Sequence, residues 1–412
     1  MEQLHRFSET IPPTRSSEAA TQRRQRPRLR QSPLHFTLLL LSLILLFTTI
    51  PNGASAYKPL SDNFLRQIPA ADDGDFDIHT GQLLAPILIP RVPGTEGQRQ
   101  VQQHFVSFFR KNLPKWEIIW QNSTSTTPAT GDRQIPFANL IFRRTPPWTK
   151  PGQSGLLTLV AHYDSKMKPE GFIGAIDSAA PCAVLMHAAK SIDGYLTQMH
   201  DEMVKLGEGG TPEMDMGVQI LLLDGEEAFV DWTDTDSLYG ARSLAQKWEN
   251  TPYPAKSKYQ NPLRQISLFV LLDLLGTANS VVPSYFLTTH WAYKAMAAVE
   301  SRMRRLGLLQ SKPTRGAFLP EADKTADRFY PVGMGDDHVP FMYRGAPVLH
   351  LIPSPFPMGI WHTLNDDGAH LDMPTVKDWA KIVTGFALEW LDMMEVEPEE
   401  AGTTKEKSGK AR

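Results

Sequence analysis

Acids and histidines recur in short segments of this chain: Ala161-His162-Tyr163-Asp164-Ser165-Lys166, Gly174-Ala175-Ile176-Asp177-Ser178, Asp224-Gly225-Glu226-Glu227, Asp273 and Trp361-His362-Thr363. Two or three carboxylates with a histidine can hold a Zn2+ ion tetrahedrally and leave the fourth position open for a substrate. Neighbouring glutamates can divide the work, with Glu227 as a ligand and Glu226 as a general acid/base whose pKa is raised by burial. Taken singly, each residue has an ordinary explanation. Asp177 precedes Ser178 and a predicted helix, as an N-cap would. Glu226 and Glu227 could be solvated loop acids, and His162 a hydrogen-bonded core histidine. The weight lies in their joint placement.

The elements that would position them follow from periodicity. Short, mostly apolar runs at 140–143, 156–160, 218–223, 266–272 and 347–352 predict strands. Helices are predicted over 96–113, 178–192, 238–248, 291–306 and 375–394. In the first of these, Val101, Phe105, Phe108, Phe109 and Leu113 fall at helical spacing and form a core stripe. Residues 57–95 read as a Pro-rich, irregular arm over the core, and 121–134 and 205–216 as loops. Apolar strands alternating with helices predict an α/β fold: a single catalytic domain over 57–395, with a mostly parallel central sheet and helices on both faces. Ligands of such sheets bind at the carboxyl ends of the strands. His162, Glu226, Glu227 and Asp273 each come just after a strand run, and His362 lies beyond the last one.

The chain has 412 residues and a formal net charge of −3, without the basic excess of a nucleic-acid-binding domain. Residues 1–56 differ in character. Arg23, Arg24, Arg26, Arg28 and Arg30 precede an apolar run at 36–50, followed by Ala54-Ser55-Ala56. The run is shorter than the roughly 20 residues of a membrane-spanning helix. Basic flank, apolar run and small-residue site together predict a signal peptide, with an uncleaved type II signal anchor as the alternative. Either form sends the chain into the secretory pathway, as a secreted or a Golgi/ER-anchored protein. Membrane contact is expected only for the uncleaved anchor. Cys182 is the single cysteine, so no disulfide can form within the chain, and its Ala/Leu-rich surroundings predict a buried, inert thiol. Asn122-Ser123-Thr124 is an N-glycosylation sequon. The charged, Gly/Lys-rich segment 396–412 reads as a disordered tail.

In order along residues 60–395, the segments AHYDSK (161–166), GAIDSAAPCA (174–183), DGEEAF (224–229), DSLYGARSLA (236–245), VLLDLLG (270–276), GDDHVPF (335–341), PVLHLIPSPFP (347–357) and WHT (361–363) resemble the co-catalytic zinc aminopeptidase family. Within it they are most similar to the glutaminyl-peptide cyclotransferases. The resemblance implies one zinc per chain on Asp177, Glu227 and His362, with Glu226 as general acid/base. It also implies Asp273 and Asp336 in a catalytic hydrogen-bond network, and Trp232, Trp361 and Phe356 around the substrate. The implied reaction cyclises the N-terminal glutamine of peptides or proteins to pyroglutamate and releases ammonia.

His162, with Asp164 beside it, and Asp273 stand where an aminopeptidase would hold or support a second zinc. Ligand counting therefore leaves two metals open. The rival reading is a zinc aminopeptidase or related peptide hydrolase in which Glu226 activates water. A non-catalytic binding domain would be expected to lose ligands, and this chain keeps the set. Asp336-Asp337-His338 and Trp232, five residues past Glu227, favour the cyclotransferase. Three departures stand out. Ala161 replaces a cysteine of the animal enzymes. Gly335 replaces a glutamine. Met358-Gly359-Ile360 makes the approach to Trp361 one residue longer, which could displace its indole.

Overall fold

A computed structural model describes residues 59–207, 209, 215–331 and 333–392. The predicted signal segment and the tail lie outside these residues. Among the described residues, no helix is long and apolar enough to cross a membrane.

The described residues form a single α/β domain around a six-stranded sheet. In chain order the strands are β1 (Glu117–Ser125), β2 (Ile135–Arg144), β3 (Gly155–His162), β4 (Met216–Leu223), β5 (Ile266–Leu272) and β6 (Val348–Leu351), arranged in space as β1-β2-β4-β3-β5-β6. β4, β3, β5 and β6 are parallel, while β2 runs antiparallel to β4 and β1 antiparallel to β2. The helices are α1 (Asp62–Gln67), α2 (Asp73–Phe76), α3 (Glu96–Asn112), α4 (Ala180–Leu206), α5 (Tyr239–Glu249), α6 (His290–Arg305), α7 (His338–Met342) and α8 (Met373–Trp390).

Both faces of the parallel strands are buried, and the alternation of side chains divides the core in two. Leu157 and Leu159 of β3, Ile220 and Leu222 of β4, and Val270 and Leu272 of β5 pack with α3, α4, α6, α8 and the arm. Val160, Leu221, Phe269 and Leu271 pack on the opposite face with α5 and α7. Burial of each such side chain contributes roughly 1.5–3 kcal/mol. Continuous apolar runs are therefore what this sheet requires, and they made the central strands legible.

Two expectations need correction. Residues 121–125, read as part of a loop, belong to β1, and only 126–134 connect it to β2. The segment Gln-Asn-Ser-Thr-Ser looks like a loop because β1 is an edge strand whose residues are mostly exposed. The arm is not irregular either. It holds α1 and α2, capped by Ser61 and Asp72, and buries Phe64, Leu65, Phe76, Leu84 and Ile87.

Several contacts tie the arm down. Leu60 N donates to Glu389 Oε1 of α8 at 3.1 Å. Asp75 accepts from Lys190 Nζ at 2.9 Å and lies 3.1 Å from His187 Nδ1, whose Nε2 is 3.2 Å from Ser191 Oγ. That order of contacts is the order of a Ser–His–Asp triad. Ser191, however, sits in the middle of α4, where main-chain donors are engaged in helical bonds, so nothing there serves as an oxyanion hole. The cluster is an anchor.

Candidate active site

The residues singled out in the sequence converge at the carboxyl end of the sheet. β3 ends on His162, with Asp164 two residues on; β4 is followed by Glu226 and Glu227, and β5 by Asp273. Asp164 orients both glutamates through their main chain, accepting from Glu226 N and Glu227 N at 3.1 Å each.

Asp177 is not an N-cap. The helix begins at Ala180, and Asp177 lies in a non-helical turn (φ −122°, ψ 73°). The turn depends on Gly174, at φ +64°, where a Cβ would come within 2.1 Å of the Asp177 carbonyl. From this turn the Asp177 carboxylate faces two imidazoles. Oδ1 is 3.0 Å from His162 Nε2, and Oδ2 is 3.4 Å from His362 Nε2. Burial would raise the Asp177 carboxyl, but His162 and His362 together hold it below the usual carboxylate range.

Asp177, Glu227 and His362 can each offer a ligand atom, all within 4.8 Å of one another. His362 Nε2 lies 3.4 Å from Asp177 Oδ2 and 3.7 Å from Glu227 Oε2. A tetrahedral zinc with bonds of about 2.0–2.1 Å sets its ligand atoms about 3.3 Å apart. These separations fit an ion, and they are long for hydrogen bonds. Glu227 Oε1 is buried without a partner among the described residues, while Oε2 is 3.3 Å from Lys166 Nζ. Burial, with the Asp177 charge adding to it, pushes the Glu227 carboxyl well above its usual range. Burial does the same to Glu226, with the charges of Glu227, Asp336 and Asp337 adding and His162 opposing.

His162, Asp177 and Asp273 form a second set of possible ligands. Here His162 and Asp177 bond to each other, His162 Nε2 stands 3.4 Å from Asp273 Oδ1, and Asp273 bonds to neighbours. His162 Nε2 is 3.0 Å from Asp177 Oδ1, and Asp273 Oδ1 accepts from Ser178 Oγ and, at 2.9 Å, from Leu274 N. Asp336, His338 and His350 form a third set. Asp336 Oδ2 and His350 Nε2 are 2.6 Å apart, too close for an ion to bridge them.

A cavity of about 460 Å3 opens over Asp177, Glu226, Glu227, Asp273 and His362. Trp232, Phe356 and Trp361 also line it. Trp232 is 44% exposed, too open for core packing. Asp336 does not line the cavity; it is buried, with its carboxylate engaged by His350 and by Asp337 N.

Residues 141–387 match peptidase family M28. A glutaminyl-peptide cyclotransferase from Boiga dendrophila is 39% identical over 315 residues, which cover 75% of this chain and 80% of that one. The glutaminyl-peptide cyclotransferase of Bos taurus is 34% identical over 379 residues, 87% of this chain and 97% of that one. The chain belongs to the glutaminyl-peptide cyclotransferases of peptidase family M28. A crystal structure of Macrostomum lignano glutaminyl cyclase superposes with a TM-score of 0.65 at 30% identity, covering 82% of this chain and 96% of that one.

The structure around Trp361, Gly335 and Cys182 is built from local contacts. Residues 357–361 form a turn in which Ile360 N and Trp361 N both reach Pro357 O, at 3.1 and 3.0 Å. The indole still lines the cavity, stacks on the His362 ring at 4.1 Å and meets Phe356 edge-on at 4.7 Å. This packing also holds His362 in the left-handed region (φ 59°), which costs a non-glycine residue roughly 1–2 kcal/mol. At Gly335 a Cβ would come within 3.0 Å of Trp232 Nε1, so the missing side chain lets that indole lie against the main chain. Cys182 is buried, donates to the His162 carbonyl at 3.1 Å, and has its thiol pushed up to about 12 by burial.

Sequence reasoning missed His350 behind Asp336, Ser178 on Asp273, and Arg91 and Asp366 around the Asp177 turn. His350 carried a signal: it is a polar residue in the buried run Val-Leu-His-Leu of β6. The others reach a carboxylate, carbonyls or amides far away in sequence, and such contacts leave no pattern.

Proposed function

We propose that this chain converts the N-terminal glutamine of peptides or proteins to pyroglutamate, releasing ammonia, with one zinc held by Asp177, Glu227 and His362. The observation that carries this reading is the buried Glu226 beside a ligand set of metal spacing, facing a cavity that contains three aromatic side chains. When bound, the zinc would polarise the γ-amide carbonyl as a Lewis acid. Glu226 takes a proton from the substrate's α-amine as the amine nitrogen bonds to the γ-carbon. It returns that proton to the amide nitrogen as the old C–N bond breaks and ammonia leaves. The raised proton affinity of Glu226 suits a group that must both accept and donate. Asp273, fixed by Ser178 Oγ and Leu274 N, and Asp336, fixed by His350, steer these transfers. Trp232, Trp361 and Phe356 hold the glutaminyl chain and exclude water. The nucleophile is part of the substrate, so orientation is the main contribution of the protein.

A single zinc is favoured because His162 Nε2 and Asp177 Oδ1 stand at hydrogen-bond distance, 3.0 Å, and Asp273 Oδ1 is taken up by Ser178 Oγ and Leu274 N. The alternative, a zinc aminopeptidase, would release an amino acid. Mass spectrometry of a Gln-initiated peptide after incubation separates the two. Loss of one ammonia is expected, and loss of a residue with two bound zincs would sink the cyclase reading. In the same assay Glu226→Gln should form no product while keeping its zinc; a variant that retains most activity would remove Glu226 from the reaction. We further infer that residues 1–56 direct the chain into the secretory pathway. Asn122, exposed on edge strand β1, suits a glycan there.

A further inference from the structure

Arg91 has no exposed surface, yet every hydrogen-bond acceptor of its guanidinium among the described residues is a main-chain carbonyl. Nε donates to Tyr163 O at 2.6 Å. Nη1 donates to Ile173 O and, more loosely, to Ile87 O and Ile89 O at 3.5 and 3.4 Å. Nη2 donates to Gly174 O at 2.9 Å and Asp177 O at 3.4 Å. A buried guanidinium without a carboxylate in contact is costly to maintain. The acids nearest in influence, Asp164, Asp366 and Asp177, act on it only across space.

Three of these carbonyls belong to residues 173–177, the turn that carries Asp177. Within the turn only Gly174 O and Ala175 O are bonded from the start of the following helix, by Ala179 N at 3.1 Å and by Ala180 N, and the non-helical backbone at Asp177 and Ser178 leaves its other buried polar groups to partners from elsewhere. Arg91 bonds its carbonyls. Asp366 bonds its N–H groups, accepting from Ile176 N on Oδ1 at 2.7 Å and from Ala175 N on its own carbonyl at 3.1 Å. Asp366 N in turn donates to Thr363 O at 3.0 Å, within the segment that carries His362. The turn is thus held from the arm on one side and from the His362 segment on the other.

We propose that Arg91 and Asp366 are positioning residues for the Asp177 carboxylate, locking the turn so that Asp177 meets His362 and Glu227 at metal spacing. The proposal rests on the zinc reading above. A lysine at 91 keeps the charge but offers a single nitrogen instead of a fork, and cannot reach the same set of carbonyls. Removing the Asp366 carboxylate leaves the Ile176 N–H buried and unpaired.

The test is the zinc dissociation constant, measured by chelator competition on metal-free full-length protein, beside the melting temperature of the same metal-free samples. Arg91→Lys and Asp366→Ala are each expected to weaken zinc binding about 10–100-fold, the usual effect of removing a residue that orients a metal ligand. Arg302→Lys is the control. Arg302 holds the arm through Leu60 O, Asp62 and Glu389, and its loss should lower the melting temperature while leaving zinc affinity as in the wild type. If Arg91→Lys does not fold, Asp366→Ala tests the same turn from its other side. Unchanged zinc affinity in the folded variants overturns the proposal. So does an equal loss in Arg302→Lys, which would mean a general loosening. If the wild type takes up no zinc, the metal reading fails, and this proposal falls with it.

Discussion

Two carboxylate–histidine clusters lie near the same end of the sheet. In one, His362 Nε2 stands 3.4 Å from Asp177 Oδ2 and 3.7 Å from Glu227 Oε2; in the other, His350 Nε2 stands 2.6 Å from Asp336 Oδ2. The residue types are the same, and the spacing separates their chemistry. The first leaves room for an ion and borders the cavity through all three of its members. The second is closed and fully buried. Burial raises the Asp336 carboxyl and pushes the His350 imidazole down to about 4, and the two meet in a short contact. An open cluster binds, whereas a closed one stiffens and orients.

His362→Ala should give the largest effect, because it removes a corner of the open cluster. Zinc content of the purified variant should fall to background and turnover with it; a full complement of zinc would refute the ligand role. Asp336→Asn breaks the closed cluster instead. Its zinc content should match the wild type while kcat falls about 10–100-fold, the scale at which outer hydrogen-bond partners act. If this variant lost its metal, the two clusters would not be separable and the contrast would collapse. Trp361→Ala should have the smallest effect. KM for a glutaminyl peptide is expected to rise about tenfold, equivalent to about 1.4 kcal/mol, with kcat less affected. A KM equal to that of the wild type would place the indole outside the substrate's reach.

Much of this arrangement was legible in the sequence because burial on both faces forces apolar runs, and the functional residues follow those runs directly. Leu268 to Leu272 could hardly be read as anything but a buried strand, and Asp273 stands at its end. β1 was partly hidden because an edge strand of Gln, Asn, Ser and Thr looks like a loop until its partner is known. Within the site, side chains that meet the cavity could be read from type and position. His350 showed only as a polar residue in an apolar run, and Ser178, Arg91 and Asp366 did not show at all. They touch carbonyls, amides or other acids far away in sequence, and such contacts impose no period on the chain.

The closure of the arm on the final helix has a consequence for timing. Leu60 and Glu389 are 329 residues apart, and Arg91 reaches a turn whose other side is held by Asp366. At a synthesis rate of about 5–20 residues per second, the arm emerges on the order of 15–65 s before its last partner. The central strands can pair while translation proceeds. The turn that presents Asp177 cannot be fully bonded until nearly the whole chain has been made.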